Sequence, residues 1–344
     1  MKRLTIRDIA EAAGVSPGAV SFALNGKPGV SDATRERILA TATQLGWTPS
    51  SAARALSVSR TGNIGFVISR PTRTISSEGF YFGFSCGVAE ELSKHQLSLI
   101  WRMTSEAEQE TQIYREWAQG RHVDAVILLD LVADDPRPPL LDELHLPAVS
   151  VGTDPQVGSA LTIDDAAAMR RIVTHLADAG FTHPAYVSGI EGFDHTTIRQ
   201  AAFLRACDDL GLRCAGSYLS DYTEDAGAEI TRIIMENTPD VDAIIYDSEM
   251  LTIGGVAYLR AQGISTPQQI GFFSWEDSPL CRIVSPSVSA LSRNPEDLGR
   301  ATAAVLVEML NSEGDAPGST GTPRIVRTYR TPEVIARDTT RPRR

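Results

Sequence analysis

Aromatic and acidic side chains follow the predicted β-strands of this sequence, at the points where the strands end. Because the carboxyl ends of parallel strands meet at one edge of a sheet, these side chains should line a common cleft. Aromatic rings stack on the apolar faces of sugars, and charged groups hold hydroxyls in directional hydrogen bonds. The pattern therefore predicts a site for a polyhydroxylated ligand. The positions are Phe80, Tyr81, Phe193, His195, the run from Asp247 to Glu249 and the run from Trp275 to Asp277.

Small hydrogen-bonding side chains are gathered near the N-terminus, in a basic part of the chain. Residues 1–60 hold eight Lys or Arg and four Asp or Glu, whereas the whole chain has a net charge of −11. The rest of the chain then carries −15, so a polyanion would be attracted only to the N-terminal end. Hydroxyl and amide side chains at helix starts bind phosphate groups. The candidate phosphate contacts are Thr5, Ser16, Ser21, Asn25 and Thr34.

Three short helices must position these side chains. The first begins in "TIRDIAEAAG" with Thr5 as its cap and ends at Gly14. A second helix starts two residues later, because Ser16 is a good cap and Pro17 fits the first helical position. Ser31 caps the third helix. So tight a turn between the first two predicts a helix-turn-helix unit, whose second helix enters a DNA major groove. Helical spacing predicts a core of Ile6, Ile9, Ala10, Ala13, Val20, Ala23, Leu24, Ala33, Ile38, Ala42 and Leu45.

Residues 4 to 57 resemble the DNA-binding headpiece and hinge of the lactose-repressor (LacI/GalR) family of bacterial transcription regulators. The match follows the family in order, spacing and chain position through "GVSPGAVSFALNG", "TRERI" and the exit at "WTPSSAARALS". The resemblance implies that Pro17, Gly18 and Phe22 face the bases. Family members often place polar or basic side chains there, and this sequence does not. Bidentate recognition of guanine or adenine by this helix is therefore not expected.

The second helix could still recognise bases in two other ways, and Phe22 could instead have a structural role. Phe22 and Ala19 could lie against a thymine methyl group, or Gly18 could let the backbone approach a base edge. The alternative interpretation of Phe22 places its ring in the small core of the headpiece.

The stretch "PSSAARALS" after Pro49 predicts a helix of one to two turns, which is marginal alone in water. In the family that the headpiece resembles, paired hinge helices of a dimer lie in the minor groove, and a leucine wedges between base steps. The resemblance implies that Leu56 is this wedge and that Ala53 lies beside it. The alternative is an ordinary linker helix packed on the rest of the chain.

The remainder of the chain alternates apolar strands with helical segments, which predicts parallel sheets with helices on both faces. Two successive sets carry the similar strands "VDAVILLD" and "VDAIIYD", so we expect two similar lobes with a ligand cleft between them. The predicted fold is an all-α helix-turn-helix headpiece plus an α/β two-lobed core that resembles periplasmic binding proteins. The predicted domains are 1–48 (headpiece), 49–60 (hinge and linker) and 61–344 (core), with an N-lobe of about 61–160 and 292–320 and a C-lobe of about 161–291 and 321–340.

The core also resembles the effector-binding core of the same family. This resemblance places effector contacts at Phe80, Tyr81, Arg199, Tyr222, Ser248 and Glu276, to which the strand-end analysis adds Phe193, His195 and Trp275. Arg199 is the strongest candidate. Ser248 and Glu276 replace the asparagine and aspartate more usual in the family, and Gly152 stands where an acidic residue is often found. These differences leave the identity of the ligand open.

Enzymatic, metal-binding and membrane functions are not indicated. No G-x-G-x-x-G follows the first strand, and the sequence lacks G-x-x-x-x-G-K-[ST] and H-E-x-x-H. The six histidines lack metal-ligand spacing, and Cys86, Cys207, Cys214 and Cys281 are predicted to be buried, unpaired residues. No apolar run suffices to span a bilayer, and no secretion signal is recognisable. We therefore predict a cytoplasmic protein that is not an enzyme and has no cofactor, metal site or membrane association.

The sequence as a whole predicts a transcriptional regulator, specifically a homodimeric repressor that binds pseudo-palindromic operator DNA. A sugar or related metabolite bound between the lobes would control its affinity for DNA, with reciprocal coupling between the two sites. The sign of that coupling is not given by the sequence. The alternative from another class is a solute-binding protein without DNA function, which would be expected to carry a secretion signal and no helix-turn-helix.

Overall fold

The computed structural model of the protein describes residues 4–24, 27–47, 60–71, 75, 79–312 and 323–342. The chain forms two compact units, Met1–Gly62 and Asn63–Arg344. The smaller unit contains the sequence predicted as headpiece and linker, and the larger one contains the sequence predicted as the core.

Helix ends in the smaller unit follow the capping residues of the sequence. The helices are α1 (Ile6–Ala13), α2 (Pro17–Leu24) and α3 (Asp32–Gln44). Thr5 and Asp8 form a reciprocal capping box at the start of α1, and Gly14, with φ at 64°, ends it. The Ser16 hydroxyl begins α2 by accepting a 3.2 Å hydrogen bond from the Ala19 N–H. The predicted helix-turn-helix is confirmed.

Apolar side chains from all three helices meet in the core of this unit. Ala33 and Leu45, which helical spacing places in this core, are exposed. The reason is their position, since Ala33 lies in the first turn of α3 and Leu45 follows its last residue, whereas the buried Ile38 and Ala42 lie between them. Phe22 is 43% exposed, so the alternative that packs its ring in the core is wrong. The buried residues are Ile9, Ala10, Ala13, Val20, Ala23, Ile38 and Ala42.

Two side chains near the start of α3 differ from what the sequence predicts. Ser31 holds the cap position, but its hydroxyl bonds the Thr34 hydroxyl at 2.9 Å and caps no helix N–H. Arg35 closes the end of α2, because its guanidinium donates to the carbonyl oxygens of Ala23 at 3.0 Å and Lys27 at 2.8 Å. A cation at a helix C-terminus also interacts favourably with the helix dipole.

Replacing Arg35 with Met should loosen α2, because these carbonyls lose a charged donor while the aliphatic part of the side chain is kept. We expect α2 to lose about 1–2 kcal/mol of local stability. Hydrogen exchange of the α2 amides in the full chain, followed by mass spectrometry, would measure this as faster exchange. Arg37→Met, an exposed arginine on the same helix, is the control. Equal exchange in both variants would contradict the capping role.

The larger unit alternates strands and helices, as predicted. Its strands are β1 (Asn63–Ser69), β2 (Ser98–Thr104), β3 (Ala125–Leu128), β4 (Ala148–Gly152), β5 (Ser159–Thr162), β6 (Pro184–Val187), β7 (Ser217–Tyr218), β8 (Ala243–Tyr246), β9 (Gly271–Ser274), β10 (Ser289–Leu291), β11 (Val326–Thr328) and β12 (Val334–Ile335). Its helices are α4 (Gly79–Lys94), α5 (Ala107–Gly120), α6 (Arg137–Glu143), α7 (Asp165–Asp178), α8 (Asp194–Asp209), α9 (Glu224–Asn237), α10 (Glu249–Ala261), α11 (Pro279–Ile283) and α12 (Pro295–Ser312), and a 3-10 helix spans Asp338–Thr340.

The described strands form two sheets of six strands each. The sheet of the N-lobe has the order β11-β5-β4-β3-β1-β2, with parallel pairings. The sheet of the C-lobe has the order β12-β10-β9-β8-β6-β7 and is parallel except at the edge pair of β10 and β12. All residues of the central strands β3 and β8 are buried, as expected of parallel sheets covered on both faces. The predicted two-lobed α/β fold is confirmed.

The predicted lobe boundaries need two corrections. The segment 321–340, which the sequence assigns to the C-lobe, contains β11, but β11 pairs with β5 of the N-lobe, and Ile325 lies in the N-lobe core. The later part of the segment is in the C-lobe as predicted, because β12 pairs with β10. The predicted boundary at residue 160 falls inside β5. The physical reason is that β5 would otherwise be an unpaired edge, whereas the Ala160 N–H donates to the Ile325 carbonyl at 2.8 Å. The chain therefore passes between the lobes after β5, after β10 and again after β11.

Helices α4 and α12 approach closely in the N-lobe. Gly87 of α4 faces the backbone of Glu296, and Gly299 of α12 faces the Phe84 carbonyl, so a Cβ at either glycine would clash with a backbone oxygen. The two helices bury apolar side chains in one cluster with the sheet. The sequence pattern had not indicated α12, although the Asn294 side chain caps it by accepting from the Asp297 N–H at 2.9 Å.

The remaining sequence expectations concern membranes, metals and cysteines. Among the described helices, none combines the length and apolar character needed to cross a membrane. The described residues also contain no cluster of three or more His, Cys, Asp or Glu able to hold a metal ion. Cys207 and Cys281 are buried, whereas Cys86 and Cys214 are exposed, so the prediction of burial is wrong for the latter two.

Candidate functional site

A cleft lies between the lobes of the larger unit, beyond the carboxyl ends of strands from both sheets. Its space amounts to about 580 Å³, counted out to the open mouth and including open solvent. Its lining consists of Arg70, Phe80, Tyr81, Leu129, Asp130, Val151, Gly152, Ile163, Asp165, His195, Arg199, Tyr222, Asp247, Glu276, Arg293 and Leu298.

Arg199 is the central charged group on the C-lobe side. Its side chain projects from α8 and is 3% exposed. Nη1 donates to both carboxylate oxygens of Asp247 at 3.1 Å, and Nη2 lies 3.2 and 3.3 Å from those of Asp165. The guanidinium also stacks 4.1 Å above the Trp275 ring. Burial opposes the charge, but the two carboxylates outweigh it and raise the pKa of Arg199. Its Nε–H is buried and has no hydrogen-bond partner among the described residues.

The Asp247 carboxylate also accepts hydrogen bonds from other side chains of the C-lobe. The Tyr186 hydroxyl donates to it at 2.5 Å and the Tyr222 hydroxyl at 2.8 Å. His195 Nε2 lies 3.3 Å from the same Tyr222 hydroxyl. Burial and the charge of Arg199 lower the pKa of His195 to about 4. The imidazole is therefore neutral near pH 7 and presents one donor and one acceptor.

The titration of His195 predicts a loss of stability in acid. The pKa of His195 is lower in the folded chain, about 4, than its ordinary value of 6.5, so below pH 6.5 the unfolded chain binds more protons. Stability is then fully present above pH 6.5 and falls toward pH 4. Between pH 7.5 and pH 5 we expect a loss of about 2 kcal/mol from this group. Urea unfolding of the wild type and His195→Asn at both pH values measures it. An equal loss in both proteins would contradict the assignment.

The N-lobe side carries a second buried arginine, Arg70, directly after β1. Its Nε donates to the Tyr81 hydroxyl at 3.0 Å, and its Nη2 lies 3.0 Å from the Asp130 carboxylate. The Tyr81 hydroxyl in turn donates to Asp130 at 2.7 Å. Burial opposes ionisation of Asp130, but the charge of Arg70 outweighs it and lowers the pKa of the carboxyl. This wall of the cleft is therefore an ionised, hydrogen-bonded triad.

Glu276 and Arg293 form the third charged group. Arg293 Nη1 lies 3.4 Å from the Glu276 carboxylate, and its guanidinium lies 4.9 Å from the Phe80 ring centroid. Burial raises the pKa of Glu276, and the charge of Arg293 offsets this only in part. The Phe80 ring is also stacked on Phe84 at 5.9 Å, so it presents a fixed apolar surface.

Contacts between the lobes hold the cleft closed at one end. The guanidinium of Arg70 in the N-lobe lies 3.9 Å from the centroid of the Phe193 ring in the C-lobe. The Asp194 N–H donates to the Leu131 carbonyl at 2.9 Å, and the Thr153 hydroxyl donates to the Asp194 carboxylate at 2.8 Å. These contacts tie the start of α8 to the N-lobe, which means that opening of the cleft must break them.

Six of the nine predicted effector residues lie in the cleft lining. Ser248 does not, because its side chain caps α10 by accepting from the Leu251 N–H at 3.3 Å. Trp275 lies behind Arg199 and is 1% exposed. Phe193 lies outside the lining, between Arg70 and the parallel ring of His195. The six in the lining are Phe80, Tyr81, His195, Arg199, Tyr222 and Glu276.

Charged lining residues missed by sequence reasoning are Arg70, Asp130, Asp165 and Arg293. A signal was present, because Arg70, Asp130 and Arg293 each stand within two residues of the end of a strand. Counting every charged residue after a strand as a cleft candidate would have found these three. Asp165 opens α7, where an acidic residue has the ordinary explanation of helix capping.

The cleft is polar but nearly neutral. Each of the three arginines in the described lining is paired with at least one carboxylate, so none of these three offers an unpaired positive charge to an anion. Its uncharged donors and acceptors, together with the Phe80 and Tyr81 rings, suit hydroxyl groups and the apolar faces of a sugar ring. The arrangement favours a neutral polyhydroxylated ligand.

The smaller unit presents the predicted DNA-facing residues at its surface. Thr5, Ser16, Pro17, Gly18 and Phe22 are exposed, and Ala19, Ser21 and Thr34 are half-buried. Because Pro17 has no N–H and Ser16 occupies that of Ala19, the Gly18 N–H is a first-turn donor available to a phosphate. Three further predicted DNA contacts, Asn25, Ala53 and Leu56, lie outside the described residues.

Two runs match the G-x-S-x-G pattern of serine hydrolases, "GVSPG" at 14–18 and "GFSCG" at 83–87. Ser16 caps α2, and Ser85 lies buried within α4. A hydrolase nucleophile stands at a sharp turn from a strand into a helix. Neither serine has that context.

Comparisons with known proteins agree with both units. The model of bacterial regulatory proteins of the lacI family matches residues 5–50, and that of the periplasmic binding protein-like domain matches residues 173–340. The HTH-type transcriptional regulator CelR of Thermobifida fusca is 30% identical over 322 residues, which cover 92% of this chain and 94% of CelR.

Solved structures extend the likeness to the fold. The transcriptional regulator CelR-cellobiose complex has a TM-score of 0.71 at 27% identity, with 98% of this chain and 100% of that chain covered. The lac repressor dimer bound to operator and the anti-inducer ONPF has a TM-score of 0.81 at 17% identity, covering 99% and 100%, and shows the fold alone.

A helix-turn-helix unit and a two-lobed core with a cleft between the lobes, in one chain, define a DNA-binding transcriptional regulator with an effector-binding domain. Full-length similarity to CelR makes the assignment specific. The chain belongs to the LacI family of bacterial transcriptional regulators.

Proposed function

We propose that this protein is a homodimeric repressor whose operator affinity is controlled by a neutral carbohydrate. The observation that carries the proposal is the cleft, where three arginines are all paired with carboxylates beside the Phe80 and Tyr81 rings. A charged metabolite would leave a buried charge unpaired there, whereas sugar hydroxyls can share the existing donors and acceptors. The relative with a solved complex binds cellobiose, so cellobiose is the first ligand to test.

In this proposal the effector is held from both lobes. Arg199, Tyr222, His195 and Glu276 contact it from the C-lobe, and Phe80 and Tyr81 stack on it or bond it from the N-lobe. Arg70 and Arg293 join them, since both lie in the lining. Because the ligand touches both lobes, it changes the balance between open and closed cleft and thereby the DNA affinity.

The DNA half of the proposal assigns one headpiece of the dimer to each half of a pseudo-palindromic operator. Thr5, Ser16, Ser21, Asn25 and Thr34 contact phosphates, and the α2 residues Pro17, Gly18, Ala19 and Phe22 face the bases. Leu56, with Ala53 beside it, wedges into the minor groove. The protein acts in the cytoplasm, where its operator is, and has no enzymatic activity.

Selection of binding sites from a random duplex DNA pool by the purified full-length protein tests the proposal. The selection is run at two salt concentrations, because phosphate contacts make affinity strongly salt-dependent. We expect enrichment of one palindrome. Its affinity is then measured with cellobiose, other neutral disaccharides and a uronic acid, and we expect a response only to a neutral sugar.

Two results of this experiment would contradict different parts of the proposed function. Failure to enrich any sequence, with and without the sugars, would overturn operator recognition. An operator whose affinity changes only with the acidic sugar would overturn the neutral-ligand assignment and leave DNA recognition standing. Arg199→Lys, which keeps the charge but cannot bridge both carboxylates, is the matched variant for the sugar response.

A further inference from the structure

The recognition helix α2 carries no charged or amide side chain in its described sequence "PGAVSFAL". The side chains that read guanine and adenine through paired hydrogen bonds are Arg, Lys, Asn and Gln. None of these stands on the exposed face of α2, which holds Pro17, Gly18 and Phe22 with the half-buried Ser21. A LacI-family headpiece that reads sequence with this helix therefore lacks the side chains that make paired hydrogen bonds to guanine and adenine.

Phe22 is the large side chain on that face, and its ring is 43% exposed. It stands one helical turn after Gly18, whose missing side chain leaves the surface in front of the ring open. An exposed aromatic ring gains free energy when a binding partner covers it. Because Phe22 stands at a DNA-facing position, its ring is suited to an apolar contact with DNA.

The Phe22 ring packs against Gly29, and hydrogen bonds hold the Phe22 backbone. Gly29 has φ at 115°, and a Cβ there would lie 3.2 Å from Cδ2 of the ring, so the ring rests against a residue that must be glycine. The Phe22 carbonyl accepts from the Lys27 N–H at 2.9 Å, and Arg35 donates to it at 3.4 Å. The other side of the residue remains exposed to a binding partner.

The major groove offers an apolar group in the C5 methyl of thymine. We propose that Phe22 reads the operator by contact with a thymine methyl group, and that this contact replaces the polar base recognition for which α2 has no side chain. The inference rests on the proposed function, because it needs an operator to which the headpiece binds. It predicts a thymine in each half-site opposite α2.

Replacing thymine with deoxyuridine tests this inference, since the exchange removes only the methyl group and keeps the base pair. Each thymine of the selected operator is replaced in both half-sites, and the affinity of the full-length protein is measured. At one position we expect a loss of about fourfold per half-site, the effect of one buried methyl group. Placing 5-methylcytosine paired with guanine at that position should bind better than unmethylated cytosine.

Phe22→Ala is the key variant, and Leu39→Ala, at an apolar side chain of α3 that is also 43% exposed, is its control. Phe22→Ala should bind thymine and deoxyuridine operators equally, whereas Leu39→Ala should keep the preference. Since Phe22 lies outside the buried core, the variant should stay folded, and an unchanged salt dependence of binding would show that its phosphate contacts remain. Phe22→Leu should keep part of the preference, because it remains apolar.

The outcomes separate this inference from the proposed function. An operator that the wild type binds equally well with deoxyuridine at every position would overturn the methyl contact and leave operator recognition intact. A thymine preference that persists in Phe22→Ala would assign the contact to another residue and also overturn the inference. No selected operator at all would overturn both.

Discussion

Arg199→Met is expected to lower the free energy of unfolding of the larger unit by about 3–5 kcal/mol. The substitution keeps the aliphatic volume but removes the charge between Asp165 and Asp247, which are 4% and 3% exposed. Two carboxylates would then be buried without their counter-ion. The cost arises from the charges left behind more than from the bonds lost. Urea unfolding, followed by the fluorescence of the tryptophans, measures the change.

Two control proteins identify the cause. Adding Asp165→Asn and Asp247→Asn to Arg199→Met removes the two unpaired carboxylate charges. This triple variant should therefore regain much of the stability that Arg199→Met loses. Arg170→Met breaks an exposed pair, Arg170 with Asp209, and should cost at most about 1 kcal/mol. If the triple variant is no more stable than Arg199→Met alone, uncompensated charge is the wrong explanation.

Gly299→Ala is expected to destabilise the N-lobe by about 2–3 kcal/mol, although alanine is a better helix former than glycine. The added Cβ would clash with the Phe84 carbonyl of α4, and a backbone oxygen cannot move aside as a side chain can. The two helices would have to separate, which opens the apolar cluster between them. Thermal unfolding of the variant against the wild type measures the loss.

Gly79→Ala, at the start of α4, is the matched control, because its Cβ would meet only the flexible Glu249 side chain at 3.8 Å. We expect it to be close to neutral. A Gly299→Ala variant as stable as the wild type would show that the α4–α12 contact is looser than the structure indicates.

The fold was predictable where elements are long and periodic. Helices such as α5 and α9 and apolar strands such as β1 carry a pattern that determines their type. The strands β10, β11 and β12, of two or three residues each, are too short to show a period. Their assignment depends on which sheet edge has unpaired backbone groups, and that is decided by tertiary structure.

The sequence predicts which strand ends contribute residues to the candidate site. It does not predict which side chain at each strand end points into the cleft. Asp247 and Ser248 are neighbours after β8, yet Asp247 lines the cleft and Ser248 caps α10. Family resemblance had favoured Ser248. An arginine such as Arg70 is ordinarily solvent-exposed, and only the Asp130 carboxylate, 60 residues away in sequence, explains its burial.

Because the chain crosses between the lobes three times, parts of the N-lobe that pack together are synthesised at different times. Helix α4 packs on α12, and β5 pairs with β11, so the N-lobe cannot be completed until its last strand has left the ribosome. About 200 residues separate α4 from α12, and at 5–20 residues per second their synthesis takes roughly 10–40 s. During that time the apolar face of α4 has no partner helix. Newly made chains should therefore depend most on chaperones before residue 312 emerges, and a chain truncated after the C-lobe helices should aggregate instead of folding as a half-protein.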